Sequence, residues 1–589
     1  MIFRVRAAGR GVSVTLRPFI TRSCGAGVRP ISTTWPAHHV TSQYPGFELP
    51  SGGNLTSYVL RNSSRWADKT ATECAVTGRG YTYSQLVDRI ARWGGMLTKL
   101  GIEKGDVVAV MMHNYPEYPI VILGATAIGA VVSTVNVSYT PGEVHGQLED
   151  CGATLVVGDT LTEKTLAQAI TLCKTPSVVV INGPSSASGA LDLQQIIEDT
   201  SVPFADPLEV FKEDVAVMPY SSGTTGKSKG VLISHHATIS SMHIAANPNF
   251  FWGSETTDCN QESILCYLPF YHAYGLVPIM MVWLQMGAKL VCVPWFDPNT
   301  FVRDISQHKV KYLHMVPTIL NFLNHSPTVT PEAMASVKAV MCSAAPTAPP
   351  AAATFKDRLG GNIFFQESFG MTEAGLVCNT AKGRERLGSC GHLLPHLSAK
   401  VIDTVTGEEL PPNQDGEICF KSPASLSGYL NNPAATAETI DSEGWIHSGD
   451  IGSFDEEGFF RIVDRTKEFI KVKGNQVAPS ELEGLILQHP NVVEVGVVGV
   501  PDDRLGEVPR AYVVTSAPTT QTEIKEFVEP KLALFKRLAG GVIFINEIPK
   551  TATGKLLRKE LRKMALTASC AHDTKEKSLD ETPIKEDKL

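Results

Sequence analysis

Apolar and polar positions along the chain follow two rhythms, and the change between them divides the sequence into regions of different architecture. From Tyr81 onward, Leu86, Ile90, Trp93, Leu97 and Leu100 recur at three- or four-residue spacing, which marks the buried face of a helix. Thr82 and Gln85 stand three apart just before this stripe and predict a capping box at the start of a helix of about five turns. Gly101 to Asp106 interrupts the pattern, and Val107 to Met111 then reads as a buried strand. The same helix-strand rhythm continues through Val131 to Val135, Leu155 to Val157 and Val178 to Ile181. It resumes later with strands near Leu265, Leu290, Tyr312, Val337 and Ile363. Such alternation predicts an α/β protein with parallel sheets covered on both faces, here as two doubly wound units.

Between Ala399 and Val463 the runs shorten and hairpin signals appear at Thr406-Gly407, Asp415-Gly416, Glu443-Gly444 and Glu457-Gly458. This pattern predicts a small antiparallel barrel or sheet, closed by Arg461 to Asp464. A compact α+β unit follows, with Ser480 and Glu483 expected to cap a helix and strands at Val492 to Val500 and Arg510 to Val514. The expected division is therefore a leader at 1–45, a large N-terminal domain at 46–466, a small C-terminal domain at 467–566 and a polar tail at 567–589.

The 589 residues are too many for one ordinary core. Net charge is −8 with both signs dispersed, which argues against nucleic acid or an anionic membrane as the main partner. The twelve cysteines form no CxxC pair and no HExxH occurs, so no structural metal site is expected. Arg4, Arg6, Arg10, Arg17, Arg22 and Arg29 precede the first acidic residue, Glu48, which is the signature of a mitochondrial transit segment. The terminal Asp-Lys-Leu falls one residue short of a peroxisomal address. The uncharged stretch from Tyr118 to Gly142 carries glycines and polar residues, so it reads as a buried α/β segment, and no transmembrane helix is expected.

Four stretches carry chemistry. The first is SSGTTGKSKG, Ser221 to Gly230, set between two β-prone runs. Its three glycines let successive amides turn toward an anion, five hydroxyls add donors, and Lys227 and Lys229 add charge, which suggests a polyphosphate cradle. A Walker A loop is excluded, because Ser221 stands where that motif needs glycine. His272 interrupts the apolar run Leu268 to Gly275, and Thr372-Glu373 follow a predicted strand, where ligands of α/β sheets are held. The last stretch is PKTATGKLLRKELR, whose Thr/Gly turn presents Lys555 before a basic helix.

Together SSGTTGKSKG, FGMTE, GWIHSGD, DRTKEFIKVKGNQVAPSE and PKTATGK resemble the adenylate-forming superfamily of acyl-CoA synthetases, 4-coumarate:CoA ligase and firefly luciferase, over about Gly46 to Lys563. The resemblance implies that Ser221, Ser222, Gly223, Thr224, Thr225 and Lys229 hold the ATP phosphates. It places Phe369 and Gly370 against adenine, Thr372 at the phosphate and Glu373 on Mg²⁺. Asp450 and Arg465 match a ribose-binding pair, with Gln476 also assigned to the nucleotide. It further implies a mobile C-terminal domain hinged at Lys467, with Lys555 serving adenylation and Lys471, Lys473 and Gly474 serving the CoA step. His272, Tyr274 and Ala345 are assigned to the acyl pocket. Glu367-Ser368 replaces the Gln-Gly of plant coumarate ligases, Ser343 replaces a glycine, Leu376 replaces a proline, and Trp295 stands where a CoA-contacting lysine is common. The plant hydroxycinnamate preference is therefore not carried over.

The function implied is ATP- and Mg²⁺-dependent ligation of a small carboxylic acid, medium-chain fatty or aryl, to CoA through acyl-AMP. A luciferase-like or carrier-loading enzyme and a non-catalytic acyl-nucleotide binding protein are the competing readings. Retention of Thr372, Glu373, Asp450, Lys467, Lys471 and Lys555 favours catalysis, since binding alone does not require both catalytic lysines.

Overall fold

The computed structural model describes residues 39–173, 178–185, 189–222, 228–472, 475–502, 504–551 and 554–565. Helix Tyr83–Lys99 starts with the expected capping box: the Thr82 hydroxyl accepts the Gln85 N–H while the Gln85 side chain accepts the Thr82 N–H. Its buried stripe of Leu86, Ile90, Trp93 and Leu97 faces helix Tyr118–Ala127, which is buried at every position. The two helices touch at Gly124, where an added Cβ would lie 2.5 Å from Trp93. Complete burial accounts for the uncharged stretch, and among the described residues no helix is long and apolar enough to cross a membrane.

Strands Val107–Met111, Val131–Thr134, Ala153–Asp159 and Val178–Asn182 pair in parallel, and Val215–Val217 joins beside Val131–Thr134. Ser228–Ser234 then extends this sheet antiparallel, and Tyr220–Ser222 folds back on it. The later strands divide into two sheets. Ser263–Cys266 and Lys289–Cys292 pair in parallel and are joined by Thr70–Cys74, a strand that precedes the first predicted helix. Tyr312–Met315, Ala339–Cys342 and Phe364–Met371 form the other parallel set, which a hairpin into Gly375–Asn379 continues antiparallel. Thr70–Cys74 was missed because its short, weakly apolar pattern acquires meaning only through partners far along the chain.

The third region is an open antiparallel sheet ordered His39–Thr41, Ser398–Ile402, Gly416–Lys421, Ile446–Phe454 and Phe460–Arg465. Its outer strands do not pair with each other among the described residues, so the barrel-or-sheet alternative resolves as a sheet. After Arg465 the chain builds a further sheet from Ile470–Val472, Asn475–Val477, Val492–Asp502, Gly506–Thr515 and Val542–Phe544. Leu482, Ile486, Val497, Val513 and Ile524 lie in its core.

Helix Pro479–Ile486 corrects one expectation. Ala478 is its N-cap and Pro479 occupies the first helical position, so Ser480 and Glu483 do not form a capping box. Ser480 Oγ donates instead to the Val463 carbonyl, and the Glu483 carboxylate is buried 2.7 Å from Arg558 while accepting the Val497 N–H. Both side chains tie the helix to its neighbours rather than to its own first turn.

Candidate active site

The expected phosphate loop is a hairpin between Tyr220–Ser222 and Ser228–Ser234. Gly223, Thr224, Thr225 and the Ser222 side chain lie outside the described residues. The hairpin's two legs converge on the Thr372-Glu373 turn. Ser221 Oγ donates to Glu373 Oε1 at 2.9 Å, and Tyr429 OH donates to the same oxygen at 3.0 Å. Lys229 Nζ lies 5.0 Å from the Tyr429 ring centroid. Glu373 is only 6% exposed, and Thr372 is half-buried beside it. A carboxylate and hydroxyl oxygens are hard donors that suit Mg²⁺, and Glu373 and Ser221 offer such oxygens side by side. Tyr429 was not anticipated; the two-residue strand Gly428–Tyr429 that pairs with Val231 and Leu232 leaves no local periodicity.

Phe369 is half-buried near the end of Phe364–Met371, with its ring edge-on to Phe420. The ladder slips one register between Phe369 and Gly370. A Cβ at Gly370 would lie 2.6 Å from the Gly375 carbonyl, so only glycine fits beside the aromatic. Across the antiparallel sheet Asp450 faces Arg465, with Oδ1 and Nε 3.2 Å apart. Gly449 at φ +68° makes the bend before Asp450, and Glu417 Oε1 accepts its N–H at 3.0 Å. The Ser448 hydroxyl accepts the Asp450 N–H. Glu417 was also not anticipated; it sits beside the Asp415-Gly416 hairpin signal but acts across strands. Burial pushes the Asp450 carboxyl above its ordinary pKa, while Arg465 and Lys555 oppose that rise.

Lys555 reaches this corner on a tight turn in which the Thr551 N–H donates to the Lys555 carbonyl and Thr551 Oγ1 accepts the Lys555 N–H. The turn seats against Pro317–His325: a Cβ at Gly554, where φ is +75°, would lie 2.3 Å from Thr318 Oγ1. Burial lowers Lys555 to about 8, with Arg465 adding to the effect and Asp450 opposing it. Burial likewise lowers His272 to about 4, and Lys555 adds to that shift. One ammonium thus acts on both the Asp450 carboxylate and the His272 imidazole. Lys471 is elsewhere, exposed on Ile470–Val472 with its N–H on Glu507 Oε2 at 2.8 Å. Lys467 is exposed in the turn between Phe460–Arg465 and Ile470–Val472. Lys473, Gly474 and the Gln476 side chain lie outside the described residues.

His272 and Tyr274 open the segment Gly275–Met281, wound as π-helix with Pro278 inside. Tyr274 OH lies 3.1 Å from His314 Nδ1, and Trp283 Nε1 donates to His314 Nε2 at 2.9 Å. Because indole only donates, His314 carries its proton on Nδ1 and gives it to Tyr274. Tyr312 OH donates to Gln366 Oε1 at 2.6 Å, completing a hydrogen-bonded wall beneath Tyr274. Ala345 is exposed in the loop bent by Ala344 at φ +75°.

The family model of AMP-binding enzymes matches residues 59–430, and that of the AMP-binding enzyme C-terminal domain matches 481–555. The chain belongs to the AMP-binding enzyme family. The chain is 36% identical over 535 residues to 4-coumarate--CoA ligase 3 of Oryza sativa subsp. japonica, covering 88% of this chain and 94% of that one. It is 34% identical to the probable 4-coumarate--CoA ligase 3 of Dictyostelium discoideum, covering 89% and 97%. The ATP-bound structure of MatB from Rhodopseudomonas palustris aligns at a TM-score of 0.77 and 27% identity over 87% of this chain and 98% of that one. The anthranilate CoA ligase AuaEII with anthranoyl-AMP aligns at 0.81 and 23% identity over 88% and 99%, a likeness of fold. As a member of this family, the protein is an ATP-dependent, AMP-forming ligase.

Proposed function

We propose that this AMP-binding enzyme activates an aryl or medium-chain carboxylic acid with ATP to give acyl-AMP and pyrophosphate, then passes the acyl group to CoA thiol with release of AMP. The observation that carries the reading is the docking of the Lys555 turn on helix Pro317–His325 through Gly554 and Thr318, with the Lys555 charge bearing on both Asp450 and His272. In the first step an acid oxygen attacks the α-phosphorus and pyrophosphate leaves, so negative charge builds on the phosphoryl oxygens. Lys555 and Lys229 stabilise that charge, and Asp450 with Arg465 fixes the ribose so that the α-phosphate meets the acid. Thr372 and the hairpin hydroxyls position the phosphates, and Mg²⁺ held by Glu373 neutralises part of their charge when bound. In the second step the thiol attacks the acyl carbon and AMP leaves. Lys471, Lys473 and Gly474 serve that step after the C-terminal unit rotates about Lys467, which sits in an exposed turn suited to a hinge.

The test is pyrophosphate release and acyl-CoA formation over a panel of benzoates, cinnamates and fatty acids. Pyrophosphate without thioester from every acid would reject the CoA step. For the arginine-rich leader, whose first 38 residues lie outside the described residues, we infer mitochondrial import. Residues 1 to 45 fused to a fluorescent protein should enter mitochondria, and a cytosolic or peroxisomal signal would reject that assignment.

A further inference from the structure

Glu417, Cys419 and His447 form a three-donor cluster on the open antiparallel sheet that carries Asp450, and the thiol and imidazole take no part in the ligase reading. Sheet geometry brings them together. Glu417 and Cys419 alternate along Gly416–Lys421, so both project from one face, and Cys419 lies directly opposite His447 on Ile446–Phe454. The partner strand bulges through Ser448 to Asp450, the stretch between His447 and Ile451, which is the partner of Glu417. His447 Nδ1 lies 3.1 Å from Glu417 Oε2 and 3.5 Å from Cys419 Sγ, and the three donor atoms all lie within 4.8 Å of one another.

An imidazole nitrogen bonds in one direction, yet a carboxylate oxygen and a sulfur both close on this one. A proton there serves one of them; a cation serves all three. Tetrahedral bonds of ordinary zinc length set nitrogen and sulfur about 3.5 Å apart and nitrogen and oxygen about 3.3 Å apart, close to the separations seen. The outer contacts also fit. His447 Nε2 faces Asp441 Oδ2 at 3.7 Å, and Asp441 Oδ1 accepts the Glu443 and Trp445 N–H groups. Glu417 Oε1 accepts the Gly449 N–H, which leaves Oε2 for the cluster. A carboxylate behind the imidazole and a donor on the second carboxylate oxygen orient both ligands before a cation arrives.

We infer that Glu417, Cys419 and His447 bind one zinc ion, which ties Gly416–Lys421 to the bulge of Ile446–Phe454 that carries Asp450. Sulfur and imidazole favour zinc over Mg²⁺, whose preference is for oxygen alone. The Glu417 and His447 side chains are 18% and 29% exposed, so the ion can enter from their side and keep water as its fourth ligand. Burial, with Glu417 beside it, holds the Cys419 thiol above its ordinary pKa while Lys400 opposes the rise, so binding displaces the thiol proton to water. Lys400, opposite Cys419 on Ser398–Ile402, turns its own charge to Glu409 at 3.6 Å and over the Trp445 ring. The motif spacings that gave no metal site in the sequence report on one segment at a time, whereas these ligands come from two strands.

The experiment titrates Co²⁺, a spectroscopic stand-in for zinc, into the full chain with Mg²⁺ present, and then displaces it with Zn²⁺. The wild type should take up Co²⁺ with a thiolate-to-cobalt charge-transfer band and the visible bands of a tetrahedral ion. Zn²⁺ should abolish these bands and raise the melting temperature, because it binds the folded sheet. Cys419→Ala should lose both the charge-transfer band and the zinc-dependent rise. Cys173→Ser should keep both, since Cys173 belongs with His145 and Glu149 to the other three-donor cluster among the described residues. If Cys419→Ala does not fold, His447→Asn is read for loss of the tetrahedral bands. No charge-transfer band in the wild type, a band that survives Cys419→Ala, or a band lost with Cys173→Ser would overturn the inference.

Discussion

Two lysines on the small C-terminal sheet unit have opposite surroundings. Lys555 is carried on a turn pressed into the large unit through Gly554 and Thr318, and it is felt by Asp450 and His272. Lys471 is exposed on a hairpin strand that pairs with Gly506–Thr515, and its backbone N–H donates to the Glu507 carboxylate within its own unit. On the proposed reading, this arrangement of the unit completes one charge-stabilising site and leaves Lys471 for another. On the proposed chemistry, the arrangement seen serves adenylation, and the CoA step requires the unit to turn.

The largest effect expected is therefore from Lys555→Ala. Losing one positioned cation at developing charge costs about 10²- to 10³-fold in rate. Single-turnover pyrophosphate release should fall by that much, while thioester formation from supplied acyl-AMP should survive. Lys471→Ala should produce the mirror image, slowing thioester formation and sparing pyrophosphate release. Equal slowing of both halves by both substitutions would mean that the two lysines share one static site.

A pH profile sharpens the same contrast. Lys555 acts as a cation and burial lowers it to about 8, so its contribution is complete below that value. Above pH 8 adenylation should lose about tenfold per pH unit as the ammonium deprotonates, and the descending limb should vanish in Lys555→Arg. A flat profile from pH 7 to 10 would show that Lys555 is not the titrating group. Asp450→Ala comes next in size. Removing a charge-assisted ribose contact costs about 1.5 to 3 kcal/mol, which should weaken ATP and AMP alike by calorimetry. Equal affinity of variant and wild type would reduce Asp450 to a bend residue after Gly449.

How far the sequence foretold this contrast depends on the range of the signal. The helix Tyr83–Lys99 and its Thr82–Gln85 cap were legible because spacing and capping are local. The parallel strands were legible as apolar runs, but their division into two sheets was not, because Thr70–Cys74 is recruited from a distant part of the chain. In the site, Ser221, Lys229, Glu373, Asp450, Arg465 and Lys555 stood within recognisable motifs. Tyr429, Glu417 and His314 did not, since each acts through a cross-strand or cross-sheet partner that has no sequence spacing. Ser480 and Glu483 failed in the opposite way: the spacing of a cap was present, but Pro479 and the buried Arg558 gave both side chains other partners.

The smallest expected effect tests the seating itself rather than either lysine. Asn321, on the same helix as Thr318, donates from Nδ2 to the Val493 carbonyl of the C-terminal sheet, a bond made only while the two regions are docked. Asn321 touches neither the Asp450–Arg465 pair nor the Tyr274 wall, so its removal leaves the reacting groups in place. One net hydrogen bond contributes about 0.5 to 1.5 kcal/mol, so Asn321→Ala should lower the docked population by roughly two- to tenfold relative to undocked forms. Pyrophosphate release should fall by up to that factor, because only the docked form presents Lys555. Thioester formation from supplied acyl-AMP should hold steady or rise slightly, because the unit must leave that seat before Lys471 arrives. A loss confined to the CoA half would reverse the assignment of the two arrangements, and equal losses in both halves would show that the seat contributes general stability and does not select between steps.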